Sequence, residues 1–139
     1  MARRPMLEET VVQPAPGRAV SAQAGSEVSP LKDVFFGYDT AVVQEDQQAA
    51  LSDDVRWLKA NSGVKVRIEG HCDERGTAEY NLGLGERRAA AVRNYVIAAG
   101  IPAARLSTVS YGKERPFVLG RDETAWRQNR RAHLVIERQ

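Results

Sequence analysis

The sequence holds a single cysteine, Cys72, so no internal disulfide can brace the fold and a packed core must carry its stability. Aromatic residues make up only 6%, which leaves that core to aliphatic side chains and alanine. No apolar run approaches the ~18–20 residues of a membrane-spanning helix. Charge of one sign is scarce too: the formal net charge is +2, too little by itself to argue for nucleic acid. No phosphate-cradling glycine loop is present, because Gly83 and Gly85 lack the lysine and hydroxyl that would follow. No His or Cys ligands recur at a metal-binding spacing, and no metal or other cofactor is expected. At 139 residues the chain is too short for a dinucleotide domain plus a substrate domain, or for an eight-fold strand–helix barrel. No apolar stretch follows Met1 to Pro5, so no signal peptide is visible, and the chain is either cytosolic or begins after an export signal.

What is there divides in two. Residues 1–30 are rich in Pro, Ala, Ser, Gln and Gly and carry no sustained hydrophobic period, which reads as a flexible tether or a dispensable tail. Residues 31–139 read as one domain. Val34 to Tyr38 is a short aromatic and β-branched run, hence a strand. Asp39 and Thr40 then offer turn and cap chemistry. Leu51, Val55 and Leu58 follow a helical step within Glu45 to Ala60, and Asn61, Ser62 and Gly63 supply the stop. Val64 to Glu69 alternates strictly, with Val64, Val66 and Ile68 on the core face. A loop from Gly70 to Gly76 leads into a long helix over Ala78 to Ala99, with Gly83 or Gly85 as points of interruption. Leu106 to Tyr111 is a third strand, Lys113 to Thr124 a loop, Trp126 to Asn129 a turn of helix, and Ala132 to Ile136 the last strand. The expected fold is α/β (α+β): β-α-β-α-β-β, a mixed four-stranded sheet with two main helices packed on it.

The loop Gly70-His71-Cys72-Asp73-Glu74-Arg75-Gly76 leaves the carboxyl end of a strand and enters a helix, the usual place for a ligand in such sheets. Asp73 is either a turn or cap aspartate or an anchor for a cationic group. On the helix, Leu84, Arg88, Val92 and Tyr95 form one stripe, so Arg88 shares the core-seeking face while Arg87 points away. A guanidinium there must find a structural partner, Glu86 or Asp73, or hold a ligand carboxylate with its planar fork. An aspartate and an arginine at one cleft suit a zwitterion such as an amino-acid head group. Catalysis is less well supported: His71, Cys72 and Asp73 are sequence neighbours whose side chains point apart in an extended segment. Cys72 reads as a small inert side chain. Arg127, Arg130 and Arg131 form either a solvated strand entrance or a second anion contact at the same cleft. Residues 31–63 carry a net charge of −3 and residues 105–139 a net charge of +4, an uneven distribution consistent with an anionic partner or a solvated surface.

Gly70 through Ala89, together with Val34 to Asp39, Val109 to Pro116 and Trp126 to Ala132, resembles the family of domains like the C-terminal part of outer-membrane protein A. The match runs in order from Leu31 to the chain end. The Asp73-Glu74-Arg75-Gly76 form of the loop is similar to the family's peptidoglycan-associated lipoproteins. The resemblance implies a non-catalytic module that anchors the outer membrane to peptidoglycan by non-covalent recognition of meso-diaminopimelate in the stem peptide. It implies that Asp73 holds the ammonium, that Arg88 holds the carboxylate, and that Arg130 lines the site. Gly37, His71, Thr77 and Leu84 are secondary candidates. It further implies work in the Tol–Pal system of cell-envelope integrity and cell division, with the periplasmic Tol propeller protein as a partner and no nucleic acid. The implied location is the periplasmic face of the Gram-negative outer membrane, through an N-terminal lipid anchor absent from this sequence. Alternatives are a flagellar-stator or porin-type wall anchor of the same fold, a wall-acting enzyme using Asp73 with His71, or a nucleic-acid binder using the basic end. Two departures stand out: the family usually has aspartate where this chain has Gly37, and threonine where it has Cys72.

Overall fold

The computed structural model describes residues 29–137. The expected N-terminal tether lies almost wholly outside these residues. In chain order the elements are β1 (Val34–Phe35), α1 (Glu45–Ala60), β2 (Lys65–His71), α2 (Ala78–Ala98), a 3-10 turn (Ala103–Arg105), β3 (Leu106–Gly112), α3 (Glu123–Asn129) and β4 (Arg131–Glu137). The strands form one mixed sheet in the order β1-β4-β2-β3. β4 runs antiparallel to both β1 and β2, while β2 and β3 are parallel neighbours joined through α2.

The core forms on one face of this sheet. Leu51, Val55 and Leu58 from α1 and Ala89, Val92 and Val96 from α2 meet Val66 and Ile68 of β2 and Leu134 of β4. These are the positions that the helical step and the strand alternation assign to the interior, and aliphatics fill it as the scarcity of aromatics requires. Both main helices therefore cover the same face. The opposite face carries Arg67, Glu69 and His71 of β2, and Phe117 from the following loop packs edge-on over His71 at 4.8 Å.

Several features differ from the expected ones. β2 runs on through Gly70 and His71, which the sequence assigns to the loop, and each of the other differences has a local reason. β1 stops at Phe35, because the next carbonyls leave the sheet ladder: Phe36 O accepts from Arg130 Nε at 2.8 Å and Gly37 O from Arg88 Nη2 at 3.0 Å. α2 is not interrupted at Gly83 or Gly85. Instead Gly85 lies so close to Gly70 that a Cβ on Gly70 would sit 1.8 Å from the Gly85 carbonyl oxygen. That approach seats α2 directly on β2. α3 starts three residues before Trp126, because Asp122 caps it by accepting from Ala125 N–H at 3.0 Å. Arg130 is the residue that ends α3, immediately before β4 begins at Arg131. Asp39 sits in a turn, as its chemistry suggests, with a positive φ of 54°, and accepts from the Tyr80 hydroxyl; the N-cap of α1 is Gln44 rather than Asp39 or Thr40. Among the described residues, no helix is long and apolar enough to cross a membrane.

Candidate functional site

Strand β2 ends at His71 and the chain turns sharply toward α2. The next residues, Cys72 and Asp73, drop beneath the loop that follows β1. A solvent-open cleft of about 100 Å³ lies there, room enough for an amino-acid head group. Asp73, Arg88 and Leu84 line it together with Cys72, Tyr38 and Arg75.

Asp73 is 4% exposed. Its Oδ1 accepts from the backbone N–H of Arg75 at 3.0 Å and from Arg75 Nε at 3.2 Å, and its Oδ2 accepts from Arg75 Nη2 at 2.8 Å. Arg130 Nη1 stands 3.6 Å from Oδ2. Burial by itself would raise the pKa of this carboxyl, but the hydrogen bonds and charge of Arg75, with Arg130 behind, outweigh it and hold Asp73 below the usual carboxylate range. Asp73 is therefore a buried anion at neutral pH. It fills the turn role as well, since the contact with Arg75 N–H closes an Asx turn.

Arg88 is 1% exposed and sits where the α2 stripe meets the loop. Neither Glu86 nor Asp73 is its hydrogen-bond partner. Three backbone carbonyls hold it: Thr40 O to Nε at 2.8 Å, His71 O to Nη1 at 2.9 Å and Gly37 O to Nη2 at 3.0 Å. One guanidinium thus ties the loop after β1, the end of β2 and α2 together. Three of its five N–H groups are spent, one on each nitrogen, which leaves one hydrogen on each terminal nitrogen. Arg87 lies on the exposed side of α2, 5.7 Å from the Tyr80 ring, as the helical stripe requires.

The remaining candidates divide. Arg130 is buried and reaches Asp73 from behind; its Nε donates to Phe36 O at 2.8 Å and its Nη2 pairs with Glu123 at 3.0 Å. Gly37 contributes through its carbonyl alone. Thr77 is spent on capping α2, its hydroxyl accepting from Tyr80 N–H at 3.0 Å. His71 turns its imidazole to the other face of the sheet, with Nε2 against Glu69 Oε1 at 3.0 Å and the ring between Tyr111 and Phe117. Only the carbonyl of His71 reaches the site, so no His71–Asp73 acid–base pair exists. Glu69 is held at about 2, because the hydrogen bond and charge of His71, with Arg67, overcome a large burial effect. The Cys72 thiol, pushed up to about 11 mainly by burial, donates to Asn81 O at 3.2 Å, which makes it a poor nucleophile. Among the described residues, no group of three or more His, Cys, Asp or Glu side chains could hold a metal ion.

Sequence reasoning passed over Tyr38, Asp39, Arg75, Tyr80 and Asn81. Arg75 had a signal, since it stands two residues after the aspartate within the same loop. Tyr38 and Trp126 had none: their rings sandwich Arg75, at 4.2 and 4.0 Å, from elements far apart in the chain.

Comparison with known proteins adds to this geometry. The OmpA family model matches residues 35–130. The peptidoglycan-associated lipoprotein of Agrobacterium fabrum is 44% identical over 124 residues, covering 86% of this chain and 70% of that protein. The peptidoglycan-associated lipoprotein of Brucella melitensis is 47% identical over 103 residues, 74% of this chain, and the chain spans only 61% of its length. The crystal structure of the peptidoglycan-associated lipoprotein from Burkholderia pseudomallei superposes with a TM-score of 0.74 at 45% identity, covering 76% of this chain and 90% of that one. None of these relatives is named as an enzyme. The chain belongs to the OmpA family, within its branch of peptidoglycan-associated lipoproteins.

Proposed function

We propose that this chain is a non-catalytic module that grips the diaminopimelate residue of the peptidoglycan stem peptide and so ties the outer membrane to the cell wall. The observation that carries the reading is one small cleft lined by two buried, opposite charges, Asp73 and Arg88. The side-chain end of meso-diaminopimelate is a zwitterion of that size. Its ammonium pairs with Asp73, whose lowered pKa keeps it charged. Its carboxylate takes the two N–H groups that Arg88 has left, the number a bidentate contact needs. The carbonyls of Gly37, Thr40 and His71 hold the guanidinium in place, so little ordering is lost on binding. Arg130 adds positive potential behind Asp73. Gly37 supplies only a backbone contact.

The names of the relatives support the wall partner. By extension the protein works at the periplasmic face of a Gram-negative outer membrane, held by an N-terminal lipid anchor, with the periplasmic Tol propeller protein as second partner in the Tol–Pal system. Identities of 44–47% to lipoproteins favour this over a stator-type or porin-type anchor. A wall-acting enzyme is disfavoured by the imidazole of His71, which faces away from the cleft. Sedimentation with purified peptidoglycan sacculi tests the reading. The wild type is expected to pellet with the wall and folded Asp73→Ala to stay in solution; equal pelleting of both would refute it.

A further inference from the structure

Three cations surround the buried Asp73, and they are held very differently. Arg88 is pinned by three backbone carbonyls and Arg130 by Phe36 O and Glu123. Arg75 has no such backbone tie. Its guanidinium rests on Asp73 and on the ring faces of Tyr38 and Trp126, and its side chain is 32% exposed, against 5% for Asp73. Arg75 is also the wall between two clefts. On one side lies the site; on the other lies an open cleft lined by Glu74, Glu114, Lys113, Arg121 and Trp126. The Glu74 carboxylate lies on that second side, where it accepts from Arg121 Nη1 and Trp126 Nε1, both at 3.1 Å, and Glu114 lines the same cleft.

We propose that Arg75 is an internal, displaceable stand-in for the ligand's cation: in the free protein it occupies the side-chain bonds of Asp73, and binding requires an ammonium that evicts it toward the neighbouring cleft. The inference rests on the reading of the cleft as a diaminopimelate clamp. Asp73 would be costly to leave buried and unpaired, and Arg75 removes that cost while the site is empty. The arrangement makes Arg75 a specificity-determining residue. A neutral side chain cannot replace a guanidinium on a buried carboxylate, so the free protein rejects uncharged peptide ends. The same competition lowers affinity for the correct ligand, because each binding event must undo one bidentate ion pair and two cation–π contacts. The backbone N–H of Arg75 stays on Asp73 Oδ1 throughout and keeps the turn intact.

The test is calorimetric titration of the full chain with a diaminopimelate-containing muropeptide, using wild type, Arg75→Ala and Asp73→Ala. Loss of a half-exposed ion pair and two ring contacts corresponds to an affinity gain of about 5–10-fold for Arg75→Ala. Millimolar methylguanidinium, which fits the vacated slot, is expected to return Arg75→Ala toward wild-type affinity and to leave the wild type unchanged. Unchanged or weaker binding by Arg75→Ala, while Asp73→Ala has lost binding, would overturn the displacement and leave the clamp standing. Full binding by Asp73→Ala, or no binding by either wild type or Arg75→Ala, would overturn both. Binding by Arg75→Ala alone would support the displacement in its strongest form.

Discussion

Two buried aspartates meet opposite fates. Asp54, on α1, is fully buried; its Oδ1 accepts from Lys32 N–H at 2.7 Å and its Oδ2 has no hydrogen-bond partner. Burial raises it to about 7, with Asp33 adding to the rise and the Lys32 amide opposing it. Asp73, on the β2–α2 loop, is almost as buried, yet Arg75 and Arg130 drive it the other way. Burial alone makes a carboxyl neutral; burial among guanidinium groups makes it a fixed anion. The α1 side of the molecule therefore holds an acid that serves packing, and the loop holds one that can grip a cation.

Breaking the loop side should have the largest effect. Asp73→Ala leaves the ligand ammonium facing Arg130 and Arg75 with no counter-charge, and wall affinity is expected to fall by roughly 2–5 kcal/mol. Arg88→Ala should lose binding to a similar degree and also destabilise the fold. Three carbonyls lose their donor at once, at about 1–3 kcal/mol for any that water cannot reach, so chemical denaturation should show a lower midpoint. From sequence alone this variant is expected to keep its fold, because only the structure reveals the carbonyl ties. An Arg88→Ala variant as stable as wild type would contradict the role of those ties.

The two aspartates should also separate by pH. Asp54 has a folded value of about 7, above its ordinary 3.8, so between roughly pH 4 and pH 7 the unfolded chain has lost a proton that the fold retains. Wild-type stability should fall across that window by up to about 1.4 kcal/mol per pH unit. Asp54→Asn keeps the acceptor for Lys32 N–H, and is expected to match wild type near pH 4 and exceed it near pH 7.5 in thermal denaturation. Asp73 has the opposite sign. Its folded value lies below 3.8, so its contribution is present above about pH 4 and is lost as acid protonates it. Asp73→Asn should therefore be less stable than wild type at neutral pH, with the gap closing in acid. Parallel pH profiles for the two variants would remove the contrast. The smallest effect belongs to Arg87→Ala: this exposed arginine should change wall binding by less than about 1 kcal/mol in the same sedimentation assay.

The sequence pattern carried the sheet and its helices wherever burial follows a period. The alternation of Val64, Val66 and Ile68 and the step of Leu51, Val55 and Leu58 correspond to the core seen in the fold. It was weaker where tertiary bonds override the local pattern. β1 is cut short by Arg88 and Arg130, from 51 and 94 residues away. Asp54 stood three residues after Leu51, on the same helical face, and that placement alone could have marked it as buried. Asp73 and Arg88 could be picked out from loop position and helical stripe together. Arg75 could not be weighed, because its two ring partners come from the loop after β1 and from α3. For His71, a secondary candidate, the sequence suggests side chains that point apart, and the structure shows where its imidazole goes: against Glu69, Tyr111 and Phe117.

The most direct measurement is calorimetric titration of the protein with two muropeptides, one carrying diaminopimelate and the other lysine at the same stem position. The lysine form keeps the ammonium for Asp73 but lacks the side-chain carboxylate for Arg88. Binding of the first and at least tenfold weaker binding of the second is the expected result. Equal affinity for both, or none for either, would contradict a zwitterion clamp built from Asp73 and Arg88.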